Sequence, residues 1–383
     1  MVTPRRLLMN PAFSEVFHCT SRCVRRAFLC GWDPASGRDF EHRRLWIDER
    51  ISELALYFGI SVISSSVMSN HFHIILRTEP QWVASLSDAE VARRWLCVFP
   101  GPGGRRGHPP EAQAIEDLCL DTKKLALCRS RLSDISWFMR SLNEPIARRA
   151  NAEDECTGRF WEGRFKCRRL DGDAAILACM IYVDLNPVRA GMATTPESSD
   201  FTSGQDRIIA NQARRKLAQA PDNPTPAQQI AIEQAKKDAQ CDQWLVPFAS
   251  PESEKGLENA DHADHADHAD LGRETNGSYA FLGTNSAPSF LSHMTLESYL
   301  ELLDWTGRQI HAKKRGVIPA HLRPILERLN LQVDAWVDNV ENYDSLFRRL
   351  AATLGRLREL AGSLGRSWLH GRAGARRLYT QHA

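Results

Sequence analysis

The spacing of apolar residues predicts strands in the first part of the chain. Residues 14–20 and 60–68 are rich in β-branched and aromatic side chains, which favour strands. Residues 71–78 have the same character and follow the second segment after a short break at Ser69 and Asn70. We therefore predict that residues 60–68 and 71–78 pair as a β-hairpin.

Helical periodicity separates these strands from the next ones. Apolar side chains recur at helical spacing in residues 41–58, and residues 132–150 form a second predicted helix with Pro145 inside it. Residues 158–170 alternate between polar and apolar side chains, which predicts a strand. A third helix is predicted over residues 171–186, because its acidic first turn suits the positive end of a helix dipole.

The predicted order through residue 190 is β-α-β-β-α-β-α, which is typical of a ferredoxin-like α+β fold. The expected fold class is an antiparallel sheet flanked by helices, followed by a mainly helical C-terminal region. Residues 80–130 interrupt the order as an insertion with helical flanks. Within it, residues 99–110 are dense in Gly and Pro and are predicted to form a loop.

Three units are predicted along the chain. Residues 1–200 form the α+β domain, and residues 201–293 form a polar, partly disordered linker with the repeat DHADHADHAD at 261–270. Three histidines at that spacing could chelate a metal, but an acidic low-complexity repeat is more typical of disordered linkers. Residues 294–383 form a basic helical domain.

Composition and charge limit the class of protein. The chain has 383 residues, of which 43% are hydrophobic and 25% charged, and this excludes a collagen-like, fully disordered or mostly membrane-embedded protein. The net charge is +2, but residues 241–300 carry ten acidic against two basic side chains. Residues 306–383 carry fourteen basic against six acidic ones. This distribution fits an anionic partner, and it fits a solvated surface equally well.

The ten cysteines contain no CxxC pair and no zinc-finger spacing. The basic N-terminus lacks the apolar core of a secretory signal. The most apolar window, residues 54–68, is too short to span a bilayer and contains three consecutive serines. We therefore expect a cytoplasmic protein with reduced thiols and no membrane partner.

His71 and His73 are the first candidates for chemistry. Residues two apart in a strand point to the same face, so both imidazoles can approach one cation while Phe72 packs into the core. Two histidines supply two of the three protein ligands of an open metal site. Taken alone, such a pair is more often a surface or hydrogen-bonded pair. An HxHxH nucleotidyl transferase motif is excluded, because Ile75 takes the place of its third histidine.

Tyr182 and Asn186 are the second candidates. They are four residues apart near the end of a predicted helix that Pro187 stops, so their side chains project from one face. A phenol is a possible nucleophile, and an amide oxygen is a ligand for a hard divalent cation. The alternative is a packing tyrosine and an asparagine that ends a helix, and for these two residues alone it is the more common case.

Three sequence segments occur in order within residues 14–195, which make up about half of the chain. They are SSSVMSNHFHIILRT, GRFWEGRFKCRRL and IYVDLNPVRAGM. Together they resemble the signature segments of the single-tyrosine HUH transposases, in particular the branch of the REP-associated tyrosine transposases.

The resemblance implies a metal-assisted site and a DNA substrate. His71 and His73 would be the HUH histidines, Asn186 the third ligand of Mg²⁺ or Mn²⁺, and Tyr182 the nucleophile on a helix beside the HUH strand. The family acts on single-stranded DNA with a hairpin beside the cleavage site, as monomers or as homodimers that exchange the tyrosine helix. We therefore expect a DNA transposase that cleaves and rejoins single-stranded DNA next to REP-like hairpins through a 5′-phosphotyrosine intermediate.

Basic residues around the predicted strands are candidate phosphate contacts. Segment 159–170 has five basic side chains against one acidic one, interleaved with Phe160, Trp161 and Phe165, and this mixture suits unstacked bases and their backbone. Core packing is the alternative role for the aromatic residues, and it applies best to Trp161 and Phe165. The candidate DNA contacts are Arg22, Arg25, Arg26, Arg164, Lys166, Arg168 and Arg169.

Two other functions fit the same residues. One is a non-catalytic regulator that binds repeats or hairpins, although the four intact candidate residues argue against lost catalysis. The other is a metal-dependent nuclease in which water attacks instead of Tyr182. The base for Tyr182 stays open among Glu162, Asp184 and a metal-bound water. We expect the basic C-terminal unit to bind DNA as an accessory, with docking of another protein as the alternative.

Overall fold

The computed structural model describes residues 9–24, 29–34, 37–248, 294–311, 326–327, 331–347 and 349–379. The strands in these ranges are β1 (Val16–Arg22), β2 (Trp32–Asp33), β3 (Arg38–Asp39), β4 (Ile60–Val67), β5 (His71–Thr78), β6 (Lys166–Leu170) and β7 (Leu350–Ala351).

Helices account for most of the remaining described residues. They are α1 (His42–Tyr57), α2 (Pro80–Ser85), α3 (Asp88–Val98), α4 (Ala112–Leu120), α5 (Thr122–Leu132), α6 (Ile135–Glu153), α7 (Asp173–Asp184), α8 (Asn186–Arg189), α9 (Ser203–Ala218), α10 (Pro226–Asp238), α11 (Leu296–His311), α12 (Trp336–Glu341), α13 (Tyr343–Leu346), α14 (Leu354–Ser363) and α15 (Arg372–Leu378).

Five strands form one sheet in the order β4-β5-β1-β6-β7. Neighbours among the first four are antiparallel, and β7 pairs in parallel with β6. With α1 after β1 and α6 before β6, the first four strands have the ferredoxin-like arrangement. The predicted α+β class is therefore confirmed. Strands β2 and β3 form a separate two-stranded ribbon.

The two faces of the sheet are covered by different helices, because successive side chains of a strand point to opposite sides. Phe17 of β1 and Phe72 of β5 pack in one buried cluster with residues of α1 and α6. Val16 and Ile75, which have the opposite parity, pack in a second cluster with α7. Because His71 and His73 share the parity of Ile75, they lie on the α7 face.

Helix α7 is the centre of the second cluster. Every residue from Ala174 to Asp184 is buried, in keeping with a sequence that is apolar on all sides. The same cluster includes Tyr299, Leu303, Trp336 and Val340 from the C-terminal region. The C-terminal region therefore shares its hydrophobic core with the helix that carries Tyr182.

Three elements differ in extent from their predictions. Within residues 158–170 the strand covers Lys166–Leu170, and Trp161 adds an isolated bridge to Cys23. Helix α7 ends at Asp184, and Pro187 lies in the first turn of α8 instead of after the last helical residue. The C-terminal region, predicted as helices, contributes β7 to the sheet.

Residues 201–248, which fall in the predicted linker, fold against the sheet. Arg207 of α9 is buried and donates from Nη2 to the carbonyl oxygen of Ile63 (2.8 Å). Leu245 forms a parallel bridge with Val62 of β4. The histidine repeat lies outside the described residues, so the division into three units stays a prediction.

The predicted insertion forms helices α2 to α5 around a small core of its own, which includes Val91, Trp95, Leu125 and Leu132. Helix α6 then continues through Pro145, as predicted. All ten cysteines lie within the described ranges, and none of them is in a disulfide. Among the described helices, none is both long and apolar enough to cross a membrane.

Candidate active site

The candidate site lies on the α7 face of the sheet, where β5 and β1 are neighbours. His73 is 3% exposed and His71 is half-buried. The centroids of the two imidazole rings are 4.8 Å apart. In the β1–β5 register Thr20 is opposite His73 and Arg22 is opposite His71. The strand pairing thus brings side chains of β1 to both predicted ligands.

A third imidazole, that of His18 on β1, contacts His73. Its Nε2 lies 2.8 Å from Nδ1 of His73, and the hydroxyl oxygen of Thr20 lies 3.3 Å from the same Nδ1. The other nitrogen of His73, Nε2, is buried and has no hydrogen-bond partner in the described part of the chain. On His71, Nδ1 makes its contact with Oδ1 of Asn70.

Burial keeps these imidazoles neutral at neutral pH. It lowers the pKa of His18 to about 3, with a further contribution from the charge of Arg168. It lowers the pKa of His71 to about 4, helped by Arg22, and holds the pKa of His73 well below its usual value. A neutral imidazole is the form that binds a metal ion.

Tyr182, on helix α7, lies next to His73 and His18. Its ring centroid lies 5.6 Å from that of His73 and 6.1 Å from that of His18, both in edge-on orientation. The guanidinium carbon of Arg189 lies 4.5 Å from the centroid of the Tyr182 ring. Burial raises the pKa of the Tyr182 phenol, and the positive charge of Arg189 opposes that rise.

Asn186 begins α8, one turn after Tyr182. Its Oδ1 accepts a hydrogen bond from Nη1 of Arg189 (3.0 Å), and its Nδ2 is buried and has no partner among the described residues. A carbonyl oxygen has two lone pairs, so this hydrogen bond leaves one of them for another contact.

The predicted ligands, two imidazoles and one amide oxygen, are donor types that a divalent cation accepts. Within the described ranges no group of three or more His, Cys, Asp or Glu residues could hold a metal ion. The predicted third ligand is the amide oxygen of Asn186, which begins the helix after the one that carries Tyr182. The unpartnered Nε2 of His73 is the kind of buried atom that a ligand satisfies.

The C-terminal region covers Tyr182, which is 4% exposed. The ring of Tyr343 lies 5.5 Å from that of Tyr182, centroid to centroid. Arg168 donates from Nη2 to Oδ1 of Asp344 (2.8 Å) and to the carbonyl oxygen of Phe347. Arg189 donates to the carbonyl oxygen of Glu341. We call residues 341–347 the cover segment.

The predicted DNA contacts fall into three groups. Arg22, Arg164 and Lys166 are exposed. Arg168 is buried and binds the cover segment, and Arg169 forms an ion pair with Glu15 (2.6 Å). Their positions favour a structural role for these last two arginines. Arg25 and Arg26 lie outside the described residues.

The other residues of segment 159–170 also have defined places. Phe160 and Trp161 are buried in the cluster on the α1 side, and Phe165 is half-buried against it. Trp161 donates its indole N–H to the carbonyl oxygen of Asn143 (2.9 Å). Glu162 is exposed. The aromatic side chains therefore serve the core.

Asp184, one of the three candidates for the base, faces away from the histidines. Its Oδ1 accepts hydrogen bonds from the hydroxyls of Ser64 (2.8 Å) and Ser203 (2.6 Å), and its Oδ2 accepts one from Tyr299. Burial raises the pKa of this carboxyl, and the charge of Arg207 opposes the rise. Its lone pairs are directed at these hydroxyls and not at Tyr182.

Sequence reasoning missed His18, Tyr343 and the cover segment. The alternation within residues 14–20 could have indicated that His18 and Val16 share a face. The alternation does not determine the pairing register between β1 and β5, so the contact of His18 with His73 could not be predicted from it. Nothing in the local sequence around Tyr343 relates it to Tyr182.

Comparison with known proteins adds one structural likeness. The chain is similar to a solved structure described as a REP-associated tyrosine transposase bound to a REP hairpin, with 12% sequence identity and a TM-score of 0.30. The similarity covers 51% of this chain and 79% of that one. No family model matches the chain, and no curated protein matches it. At this level of similarity, the functional interpretation depends on the residues described above.

Proposed function

We propose that the protein is a metal-dependent DNA strand transferase of the single-tyrosine HUH type, a transposase-like enzyme that nicks and rejoins single-stranded DNA next to REP-like hairpins. The observation that carries the proposal is the buried, unpartnered Nε2 of His73, in a ring 5.6 Å from that of Tyr182. The proposed metal ligand and the proposed nucleophile thus come from separate elements and lie close together, as an attack on one metal-bound phosphate requires.

His71, His73 and Asn186 would hold the cation. Bound Mg²⁺ or Mn²⁺ would supply positive charge to a non-bridging oxygen of the scissile phosphate and polarise the phosphorus atom. The three residues come from β5 and from the start of α8, so the sheet and the tyrosine helix must keep their relative position for the site to exist.

Tyr182 would perform the chemical step. Its hydroxyl oxygen forms a bond to phosphorus as the bond from phosphorus to the 3′ oxygen breaks. The products are a 5′-phosphotyrosine and a DNA 3′-OH, so the proton that Tyr182 loses is balanced by the one that the 3′ oxygen gains. Because the phosphotyrosine retains the energy of the broken ester, a second 3′-OH can rejoin the strand without ATP.

Arg189 would assist the phenol. An ordinary tyrosine has a pKa near 10, and burial raises the pKa of Tyr182 further. The guanidinium of Arg189 over the ring favours the phenolate, because the negative charge that develops on the oxygen is attracted to it.

The exposed cations Arg22, Arg164 and Lys166 would bind the DNA backbone. Arg22 is opposite His71 in the sheet, so a phosphate bound to Arg22 lies beside the metal ligands. Lys166 begins β6 next to β1. Contacts of this kind position a strand without reading its sequence.

Substrate entry requires the cover segment to move. Tyr182 is 4% exposed beneath Tyr343, and Arg168 and Arg189 are tied to the same segment. The described conformation would thus shield the nucleophile until DNA displaces the cover segment.

A covalent-adduct assay tests the proposal. Full-length protein is incubated with single-stranded hairpin oligonucleotides from beside its own gene, with Mn²⁺ or with EDTA, and run on a denaturing gel. We expect a shifted band that requires Mn²⁺ and is absent in Tyr182→Phe. Tyr57→Phe is the matched control, because its phenol donates to the carbonyl oxygen of Gly107, outside the site (3.2 Å).

Each of the other outcomes of this assay would indicate a different function. Free cleavage products that survive Tyr182→Phe would indicate a nuclease in which water attacks. Tight hairpin binding without an adduct on any flanking hairpin would indicate the non-catalytic regulator. The predicted homodimer is a separate proposal, and the mass of the free protein in solution tests it.

A further inference from the structure

We infer that His18 is a positioning residue for the metal site: it accepts a hydrogen bond from Nδ1 of His73 and so directs the lone pair of His73 Nε2 at the cation. The inference rests on the proposed function, because it assigns His73 as a ligand. His18 itself does not contact the cation in this account.

The geometry of the two rings is that of an in-plane hydrogen bond. Their planes differ by 16° and their centroids are 5.0 Å apart, while the facing nitrogens are 2.8 Å apart. The rings therefore meet edge to edge. Both residues are 3% exposed, and they lie on neighbouring strands, so the contact is fixed by the sheet.

The proton on His73 decides whether the ring can bind a cation. A neutral imidazole carries one N–H and one lone pair. If Nδ1 carries the proton and donates to His18, Nε2 presents its lone pair. If Nδ1 is the acceptor, Nε2 carries an N–H that is buried with no acceptor among the described residues. A bound cation is compatible only with the first arrangement.

His71 provides a parallel. Its Nδ1 contacts Oδ1 of Asn70, and an amide oxygen accepts hydrogen bonds but cannot donate them. With this orientation of the Asn70 amide, the proton of His71 is on Nδ1, and its Nε2 is the nitrogen with a lone pair. Each histidine of the pair thus has its own acceptor on the Nδ1 side, Asn70 for His71 and His18 for His73.

Arg168 is the group that opposes this arrangement. Its Nη1 lies 3.4 Å from Nδ1 of His18, where an N–H donor would favour a lone pair on His18 and hence a proton on its Nε2. That contact is longer than the one between the imidazoles, and Nη2 of Arg168 is directed at Asp344 and Phe347. Because the His18–His73 hydrogen bond can form with the proton on either ring, a cation bound at Nε2 of His73 is what selects the arrangement in which Nδ1 of His73 donates to His18.

Direct measurement of Mn²⁺ binding tests the inference without reference to activity. Full-length protein is titrated with Mn²⁺ at fixed pH, and the free ion is read by electron paramagnetic resonance. His18→Leu, which removes the acceptor, should weaken binding about 10–100-fold, as expected when the hydrogen-bond partner of a ligand is lost. His18→Gln supplies an amide oxygen and should recover most of the affinity.

His42→Leu is the matched control, because His42 pairs with Glu153 on α6, outside the site (2.7 Å). A second readout is the ¹⁵N spectrum of the histidine rings with saturating Mg²⁺, where His73 is assigned by its absence in His73→Gln. We expect Nδ1 of His73 to be protonated in the wild type and in His18→Gln. A proton on Nε2 in the Mg²⁺-loaded wild type would overturn the inference.

The outcomes separate this inference from the proposed function. Equal Mn²⁺ affinity of wild type and His18→Leu would overturn the role of His18 alone. Absence of Mn²⁺ binding to the wild type would overturn both. Binding that depends on His18 in a protein that forms no covalent adduct would support the positioning role and contradict the strand transferase.

Discussion

Two buried polar clusters lie at the C-terminal end of helix α7, and they differ in how completely their atoms are hydrogen-bonded. In the cluster around Asp184, both carboxylate oxygens accept hydrogen bonds, from Ser64, Ser203 and Tyr299. Next to them, Nη1 of Arg207 is one buried nitrogen that lacks a partner among the described residues, whereas in the cluster around Tyr182 three do, on His73, Asn186 and Arg189.

The difference separates a structural role from a functional one. Unpaired buried polar atoms are costly, so a fold tolerates a group of them where a ligand or a reaction uses them. The Asp184 cluster joins β4, α9 and α11 to α7, and it therefore holds the C-terminal region in place. The Tyr182 cluster also contacts the C-terminal region, and it has atoms left for a cation and a phosphate.

The largest expected effect is the loss of activity when a residue of the Tyr182 cluster is replaced. His73→Leu should abolish the Mn²⁺-dependent adduct and lower the free energy of unfolding by about 1–3 kcal/mol, because it leaves Nε2 of His18 buried without its hydrogen-bond partner. Adduct gels and urea unfolding measure the two quantities. A loss of stability as large as that of Asp184→Ala would show that His73 is structural.

Asp184→Ala should have the largest effect on stability. It removes the acceptor of three buried hydroxyls, and removal of one partner from such a network costs roughly 3–5 kcal/mol. Urea unfolding followed by circular dichroism measures the change, with Glu233→Ala on the exposed side of α10 as the control. If Asp184→Ala changed the free energy of unfolding no more than the control does, the structural role of Asp184 would be contradicted.

The contributions of the two clusters to the stability of the fold should also change with pH in opposite directions. The pKa of His18 is lowered to about 3 and that of His71 to about 4, so their contribution to stability is present above about pH 6.5 and is lost as the pH falls through 4 and 3. The pKa of Asp184 is raised, so its contribution is present below its unfolded pKa near 3.9 and is lost as the pH rises through the folded value.

Variants isolate the two contributions. Between pH 6.5 and 4, the stability of His18→Gln relative to wild type should rise as the pH falls, because the variant has no imidazole to protonate on unfolding. Over the same range, the stability of Asp184→Asn relative to wild type should fall as the pH falls, because the wild-type carboxyl is protonated more readily in the folded state. Unfolding curves across this range measure both stability differences. If the two differences changed with pH in the same direction, the distinction between the two clusters would be refuted.

The smallest expected effect concerns the cover segment. Asp344 is 58% exposed in its side chain, so Asp344→Asn should lower the free energy of unfolding by about 1 kcal/mol or less. By weakening the tie to Arg168, it should increase the rate of adduct formation a few-fold. Asp334→Asn is the control, and an unchanged rate would mean that the cover segment does not limit access.

Local pattern predicted the elements of the site, and pairing between distant segments supplied the rest. The strand predicted over residues 71–78 is sufficient to place His71 and His73 on one face, and β5 has those bounds. The contact of His18 with His73 depends on strand register, which the pattern does not determine. The contact of Tyr343 with Tyr182 depends on tertiary packing, which neither helical periodicity nor composition encodes.

The last strand of the sheet has a consequence for biosynthesis. β7 pairs with β6, and Arg168 and Phe347 beside this pair are 179 residues apart in the chain. A ribosome releases β6 long before β7 exists, so the nascent sheet ends in an open edge that other strands can join. We expect chains that stop before residue 294 to aggregate, so that only completed copies accumulate as folded protein.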